Sequence, residues 1–485
     1  MSSVKKLFVH YSHFTGSVAA NLVIGLITFP ILTRVLTKDQ YGILGLVSTT
    51  LLLAGVFAKA GLSDGIIRLY RQFDQTEEQR TLFSSTVLIR GVVISGIASL
   101  VYILIFPYVS VMLKVQKEYV ACFLIMAGSL FISPLNVIVI NLMRVKEKAM
   151  MVNIINITGR ILAVVLSLYL LLHVIHSFYG YFIGIVMADL LSCVILYYWF
   201  FSNYKISVSK VSKDLTLKLV NFGAPLLFME LSYNLLSYSD RYVIAAYKGP
   251  DVLAIYTVGY NLAMYIANMI TFPLSYAIVP IYVGIYEKEG KMKTEEFLQR
   301  SLNYLLMAII PLCVGYYVIA KDLMVLLASQ KYAVAASFSP IIVVATLLLG
   351  INNILNAGLY LQKKTKTMLA IIISSVVINI VVNLLVVPSY GVMGAAYTML
   401  LSTVTITILT VYLSFKYITI SVNVRTILYY LMLSGILFFI LPQITLSLTW
   451  VNLIAKCVIG TLIIFAGILI REKEIYLKVK TLLPF

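Results

Sequence analysis

Apolar residues in this chain come in blocks of roughly twenty, the length a helix needs to cross about 30 Å of hydrocarbon. No other feature constrains the fold as strongly. In hydrocarbon every backbone N–H and C=O must be satisfied within the protein, so blocks of this length read as spanning helices. A membrane barrel would show ~10-residue segments of alternating polarity instead, and the sequence has none. Composition agrees: 61% of residues are hydrophobic and 12% charged, about half the charge density of a water-covered surface. The reading is an all-α integral membrane protein with about 14 transmembrane helices. They fall at roughly 14–36, 41–61, 81–105, 120–141, 151–172, 179–201, 219–240, 252–283, 298–320, 333–360, 366–387, 392–414, 425–442 and 452–470. The eighth and tenth exceed what a bilayer requires and are expected to tilt, kink or run past the surface.

Charge then sets the orientation. Starting with the N-terminus, alternate inter-span segments hold about three times as many Lys and Arg as the others. Those segments are assigned to the cytoplasm, which puts both termini there and makes the chain a multi-pass protein of a bacterial cytoplasmic membrane. The net charge of +18 therefore belongs beside anionic lipid heads, and no nucleic-acid partner is expected. Lys5 and Lys6 precede a first span without a cleavage site, so that span is read as retained. No loop exceeds about twenty residues, which leaves no room for a soluble catalytic domain, and no GxxxxGK[ST] loop cradles a nucleotide. Cys122, Cys193, Cys313 and Cys457 lie in apolar blocks without CxxC spacing, so neither a disulfide framework nor a metal site is expected.

The chain also carries a faint internal repeat. Arg34 closes the first span and Arg241 the seventh, and an even number of intervening spans preserves orientation. The expected organisation is two pseudo-symmetric six-helix lobes plus two C-terminal helices. The N-lobe takes residues 1–201, a cytoplasmic linker 202–218, the C-lobe 219–417, and the last two helices with the cytoplasmic tail 418–485.

Three short stretches carry a family resemblance: Leu32-Thr33-Arg34-Val35-Leu36 followed by Tyr41-Gly42; Gly61-Leu62 leading to Arg68 and Tyr70; and Asp240-Arg241 with Tyr256. These resemble the Wzx-type polysaccharide biosynthesis proteins, oligosaccharide-lipid flippases of the MOP/MATE exporter superfamily. The resemblance implies lobes that rock around a central cavity. It also implies a cargo of undecaprenyl-pyrophosphate-linked oligosaccharide, such as an O-antigen or capsule repeat unit. Polysaccharide polymerase and glycosyltransferases would be partners in the pathway, beside the bilayer itself. No cofactor is implied beyond a coupling H+ or Na+.

Ionisable groups within spans are costly and mark pathways or partners. Counting along the spans puts Arg90, Arg160, Asp189 and Glu230 near mid-depth, Lys59 at the cytoplasmic mouth, and Arg34, Asp240 and Arg241 at the outer rim. Arg90 and Arg160 suit a pyrophosphate through bidentate, charge-assisted hydrogen bonds. Lys59, Arg34 and Arg241 extend the substrate-binding set, while Asp189, Glu230 and Asp240 are the candidates for ion coupling or for resting partners of the cations. The competing reading of the same residues is a fixed bridge, Arg160 to Asp189 or Arg90 to Glu230. Asn352, Asn353, Asn356, Asn379 and Asn383 would either touch sugars or bond between helices, and the second is preferred. His173 and His176 fall in an outer loop without an assigned role. Proline and glycine at Pro30, Gly223 with Pro225, Pro273, Pro280, Pro311 and Pro340 are candidate kinks.

Three other functions compete. A MATE-type cation or drug antiporter wants acids, whereas Lys59, Arg90 and Arg160 outnumber Asp189 in the N-lobe. A membrane-embedded polymerase or other enzyme would need long catalytic loops, so the chain is read as a non-enzyme. MurJ-like flipping of lipid II shares the pyrophosphate chemistry and stays open.

Overall fold

The computed structural model describes residues 20–471, apart from the side chains of 272–277. Lys5, Lys6, the start of the first span, the C-terminal tail and the Pro273 ring lie outside the described residues. The described residues are almost wholly helical and contain no strand. In chain order the helices are α1 (Ala20–Val35), α2 (Lys38–Lys59), α3 (Leu62–Leu69), α4 (Glu77–Met112), α5 (Lys117–Val145), α6 (Ala149–Tyr169) and α7 (Phe178–Asn203). They continue as α8 (Lys213–Lys248), α9 (Pro250–Glu289), α10 (Lys291–Leu327), α11 (Ser339–Leu355), α12 (Ala357–Leu361), α13 (Thr365–Ser414), α14 (Val424–Ile440) and α15 (Thr449–Arg471).

Eleven of these segments are long and apolar enough to cross a membrane, or twelve if one bent pair is counted as a single span. The segment read as 14–36 shows only the shorter α1 among the described residues. The segments 366–387 and 392–414 are the two helical arms of α13, separated by a break at Gly391 (φ 56°, ψ −135°), a conformation that glycine reaches without strain. The overlong tenth segment is bent by 57° between Gln330–Ser337 and α11. Pro340 sits in the first turn of α11, where its missing N–H costs nothing. Pro225 and Pro311 stand inside α8 and α10.

Local chemistry explains where the spans begin. Thr37 caps α2 by accepting from the Gln40 N–H, and Gln40 Oε1 accepts from the Thr37 N–H in return. Thr76 caps α4 and Ser212 caps α8 in the same manner, each side chain accepting from an N–H three residues on.

The chain divides into two compact units, Met1–Ala254 and Ile255–Phe485. In the first, α5 packs on both α4 and α7, α6 pairs with α7, and α8 packs on α2 and α3. At the end that the charge bias assigns to the cytoplasm, Tyr70, Phe83, Val139, Leu142, Phe200 and Tyr204 belong to a core to which α3, α4, α5, α6, α7 and α8 all contribute. Asp74 stands at its edge, accepting from the Tyr70 hydroxyl (3.0 Å) and Lys146 (3.1 Å) and pairing with Arg80 (2.7 Å). Burial alone would raise this carboxyl, but the hydrogen bonds from Lys146 and Tyr70 and the charges of Lys146 and Arg80 outweigh it and hold it below its ordinary value. A carboxylate with a depressed folded pKa adds stability that is present above its unfolded value, about 3.9, and is lost as pH falls through the folded one. The melting temperature of Asp74→Asn is therefore expected to lie below that of the parent at pH 7, with the gap closing below about pH 4. A pH series of thermal unfolding in detergent reads this directly.

In the second unit α10 packs against α14 and α15, and α11 against α13. Asn352 donates to Thr407, Asn379 to Ser402 and Asn383 to Asn379, at 3.0–3.1 Å. These amides tie helices and helix turns together, as membrane-buried amides commonly do. Asp322 of α10 meets Lys456 of α15 at 2.7 Å, and Asn452 adds a bond at 3.3 Å. Lys456→Ala strands the acid, so it is expected to cost more than the double variant Lys456→Ala/Asp322→Ala. Breaking a fully buried pair costs roughly 3–5 kcal/mol, and a quarter-exposed Asp322 reduces that to about 1–3 kcal/mol. A double-mutant cycle on thermal stability measures the coupling.

Candidate functional site

Within the first unit the charged residues form a seam, an isolated cation and a buried polar cluster. The seam lies where α2 breaks into α3 and crosses α8. Ala60 (φ 44°) and Gly61 (φ 69°) turn the chain left-handed between the two helices. Gly61 then lies on Gly223 backbone to backbone: a Cβ on Gly61 would sit 2.5 Å from the Gly223 carbonyl carbon, and one on Gly223 would sit 2.1 Å from the Gly61 oxygen. Both residues must therefore be glycine. Glu230 stands seven residues beyond Gly223, two turns along the same face of α8. There its Oε1 meets Lys59 Nζ at 2.5 Å, with the two side chains 42% and 25% exposed. Asp64, on α3, joins this cluster. Burial first, then the Glu230 charge, raises its carboxyl above the ordinary value, and Lys59 offsets part of that.

Arg90 is the isolated cation. It lies about 20 Å along α4 from Glu77, at 1.5 Å per residue. Among the described residues it forms no ion pair, and its Nε is buried without a hydrogen-bond partner. The acid that sequence reasoning offered it, Glu230, is taken by Lys59.

Asp189 of α7 forms the third feature. Its carboxylate accepts from Ser129 of α5, and its backbone oxygen accepts from Asn136 at 3.2 Å. Arg160, exposed on the adjacent α6, acts on Asp189 through its charge without forming an ion pair. The fixed Arg160–Asp189 bridge considered from the sequence is thus replaced by a hydroxyl and an amide from α5.

The rim residues separate. Arg34 is exposed and donates to the Pro30 carbonyl at 3.1 Å. Arg241 and Asp240 are buried, at 5% and 1% exposure. Arg241 donates to Thr49 Oγ1 at 3.0 Å and lies 4.8 Å over the Tyr238 ring, while Tyr242 donates to Thr50. This run fastens α8 to α2. Sequence reasoning missed Asp64, Ser129 and Asn136. Asp64 could have been found from its place three residues after Gly61, whereas nothing in the sequence distinguishes Ser129 or Asn136 from other polar residues in spans. Among the described residues no group of three His, Cys, Asp or Glu side chains could hold a metal ion.

The fold is shared with known membrane transporters. A structure described as the lipid II flippase MurJ in an inward closed conformation superposes with a TM-score of 0.79 at 15% identity, covering 97% of this chain and 100% of that one. An inward-facing multidrug resistance MATE transporter of the MOP superfamily gives 0.68 at 15% identity over 82% and 93% of the two chains. A MOP superfamily transporter from Pyrococcus furiosus gives 0.56 at 13% identity over 88% and 93%. These likenesses define the class: a multi-pass helical membrane protein with the MOP transporter fold. The profile of the polysaccharide biosynthesis protein family matches residues 11–285, more than half the chain, and the MatE profile matches 225–385. The chain belongs to the polysaccharide biosynthesis protein family. No curated protein matches it in sequence.

Proposed function

We propose that this protein moves an undecaprenyl-pyrophosphate-linked oligosaccharide from the inner to the outer leaflet of the cytoplasmic membrane by alternating access, coupled to an ion or to the membrane potential. The observation that carries the reading is Arg90, a guanidinium within a spanning helix with no anionic partner among the described residues. An unpaired intramembrane cation is expensive, and a pyrophosphate head is the kind of group that relieves the cost. It offers several anionic oxygens to the planar guanidinium fork. The Lys59–Glu230 pair at the α2–α8 seam supports the same cargo, because a phosphate can exchange for Glu230 on the lysine. Arg160 adds a second exposed guanidinium in the same unit, and Glu230 and Asp189 are the proposed coupling carboxylates.

The excess of cations disfavours the cationic cargo of an antiporter. A lipid II cargo carries the same pyrophosphate and is the second reading, favoured by the full-length likeness to a MurJ structure. Deleting the gene and extracting lipid-linked glycans for mass spectrometry tests the proposal. Undecaprenyl-pyrophosphate oligosaccharide is expected to accumulate as surface polysaccharide disappears. Accumulation of lipid II alone would favour the second reading, and unchanged surface glycan with new sensitivity to cationic compounds would overturn both.

A further inference from the structure

A cavity of about 420 Å³ opens in the first unit at the end that the charge bias assigns to the outside. That volume falls within the range of small-molecule sites, and the translocation residues described above make no use of it.

Its lining has a definite chemistry. Leu171 supplies apolar wall, and Tyr119 and Phe178 meet edge to face at 5.8 Å between ring centroids. Glu118, Gln40 and His176 supply the polar groups. Gln40 spends its oxygen on the α2 cap, leaving the amide N–H groups to donate. Glu118 forms no ion pair among the described residues, and the Tyr179 hydroxyl donates to its carbonyl, holding the segment that carries it. Among the described residues no Lys or Arg lines the cavity, so they offer a phosphate no counter-charge there.

The wall facing α2 and α5 is built irregularly. After α6 the chain makes a π turn over Leu170–Val174, closed by Ile175 N–H on the Leu170 oxygen at 2.9 Å. His176 follows with φ 49°, the left-handed region that non-glycine residues seldom adopt. Such turns and strained residues collect where a side chain must be aimed at a site. Here they bring Leu171 and His176 to one cavity.

We propose that this cavity binds a neutral sugar ring. The aromatic edge and leucine wall take the C–H face of the ring, the Glu118 carboxylate accepts from hydroxyls, and the Gln40 amide and His176 donate. The proposal rests on the glycan-cargo reading and deepens it, since a sugar of the transferred oligosaccharide would occupy the site on the outer side.

The test uses the full chain in nanodiscs and saturation-transfer NMR with the methyl glycosides of glucose, galactose, rhamnose and N-acetylglucosamine at millimolar concentration, and with phosphoethanolamine as a lipid-head probe. At least one glycoside is expected to give transfer that falls about tenfold in Glu118→Gln/His176→Ala. Both substituted side chains are exposed, and a retained melting temperature confirms that the variant is folded. Transfer to no glycoside, equal transfer in the folded double variant, or transfer to phosphoethanolamine alone overturns the proposal. Failure of the glycan-cargo reading shows separately, as unchanged lipid-linked and surface glycan after gene deletion.

Discussion

Replacing Arg90 with glutamine is expected to reduce glycan transfer by about two orders of magnitude while leaving the folded protein in the membrane. The guanidinium makes no ion pair among the described residues, so its removal breaks none. Losing an unpaired intramembrane cation also relieves a desolvation cost, and the variant should melt at or above the parent temperature. Its loss is felt when pyrophosphate binds. Two hydrogen bonds to a charged group contribute roughly 1.5–3 kcal/mol each, and every 1.4 kcal/mol is about tenfold in affinity. Arg90→Lys keeps the charge without the fork and is expected to fall between the two. Surface polysaccharide in a complemented deletion strain, read beside the melting temperature of each purified variant, measures both sides. Full complementation by Arg90→Gln would remove Arg90 from the account.

The second large effect falls on the helix crossing. Gly61→Ala is expected to destabilise the first unit by about 2–6 kcal/mol and Gly223→Ala by about 1–3 kcal/mol, with protein lost from the membrane in both. A Cβ at either position would lie 2.1–2.5 Å from backbone atoms of the other helix. Backbone cannot give way as the end of a side chain can. Overpacking commonly costs about 1–3 kcal/mol, and the left-handed φ of residue 61 adds about 1–3 kcal/mol for alanine. The yield of monodisperse protein and its melting temperature check this. Parent-like values in both variants would mean that the two helices separate readily at this point.

What the sequence made legible was which helix carries each charged residue and how far along it. Block length and basic-residue bias located Arg90, Asp189 and Glu230 within spans and Lys59 at the end of α2, and the described helices contain each of them there. What it could not supply was the face of the helix. A span is apolar toward lipid and apolar toward its neighbours, so the periodicity that marks a buried face in a water-soluble helix is weak. For this reason Arg34 and Arg241 looked alike as rim residues, although one is exposed and the other is locked between α8 and α2. The pairing of Glu230 with Lys59 rather than Arg90 depends on a crossing set by two glycines 162 residues apart, each unremarkable alone. Asn379 bonds Ser402 across the Gly391 break, as the interhelical reading expected, whereas Asn383 donates to Asn379 one turn back on its own helix.

The most direct test is transbilayer movement itself. The purified chain would be reconstituted into liposomes carrying undecaprenyl-pyrophosphate oligosaccharide in both leaflets. A glycosidase added outside then reports how much of the inner pool becomes accessible. Protein-containing vesicles are expected to expose nearly all the glycan lipid under an imposed ion gradient or potential, and Arg90→Gln vesicles to stay near the half exposed without protein. Equal exposure in parent, variant and protein-free vesicles would contradict the claim that this protein carries the lipid-linked glycan across.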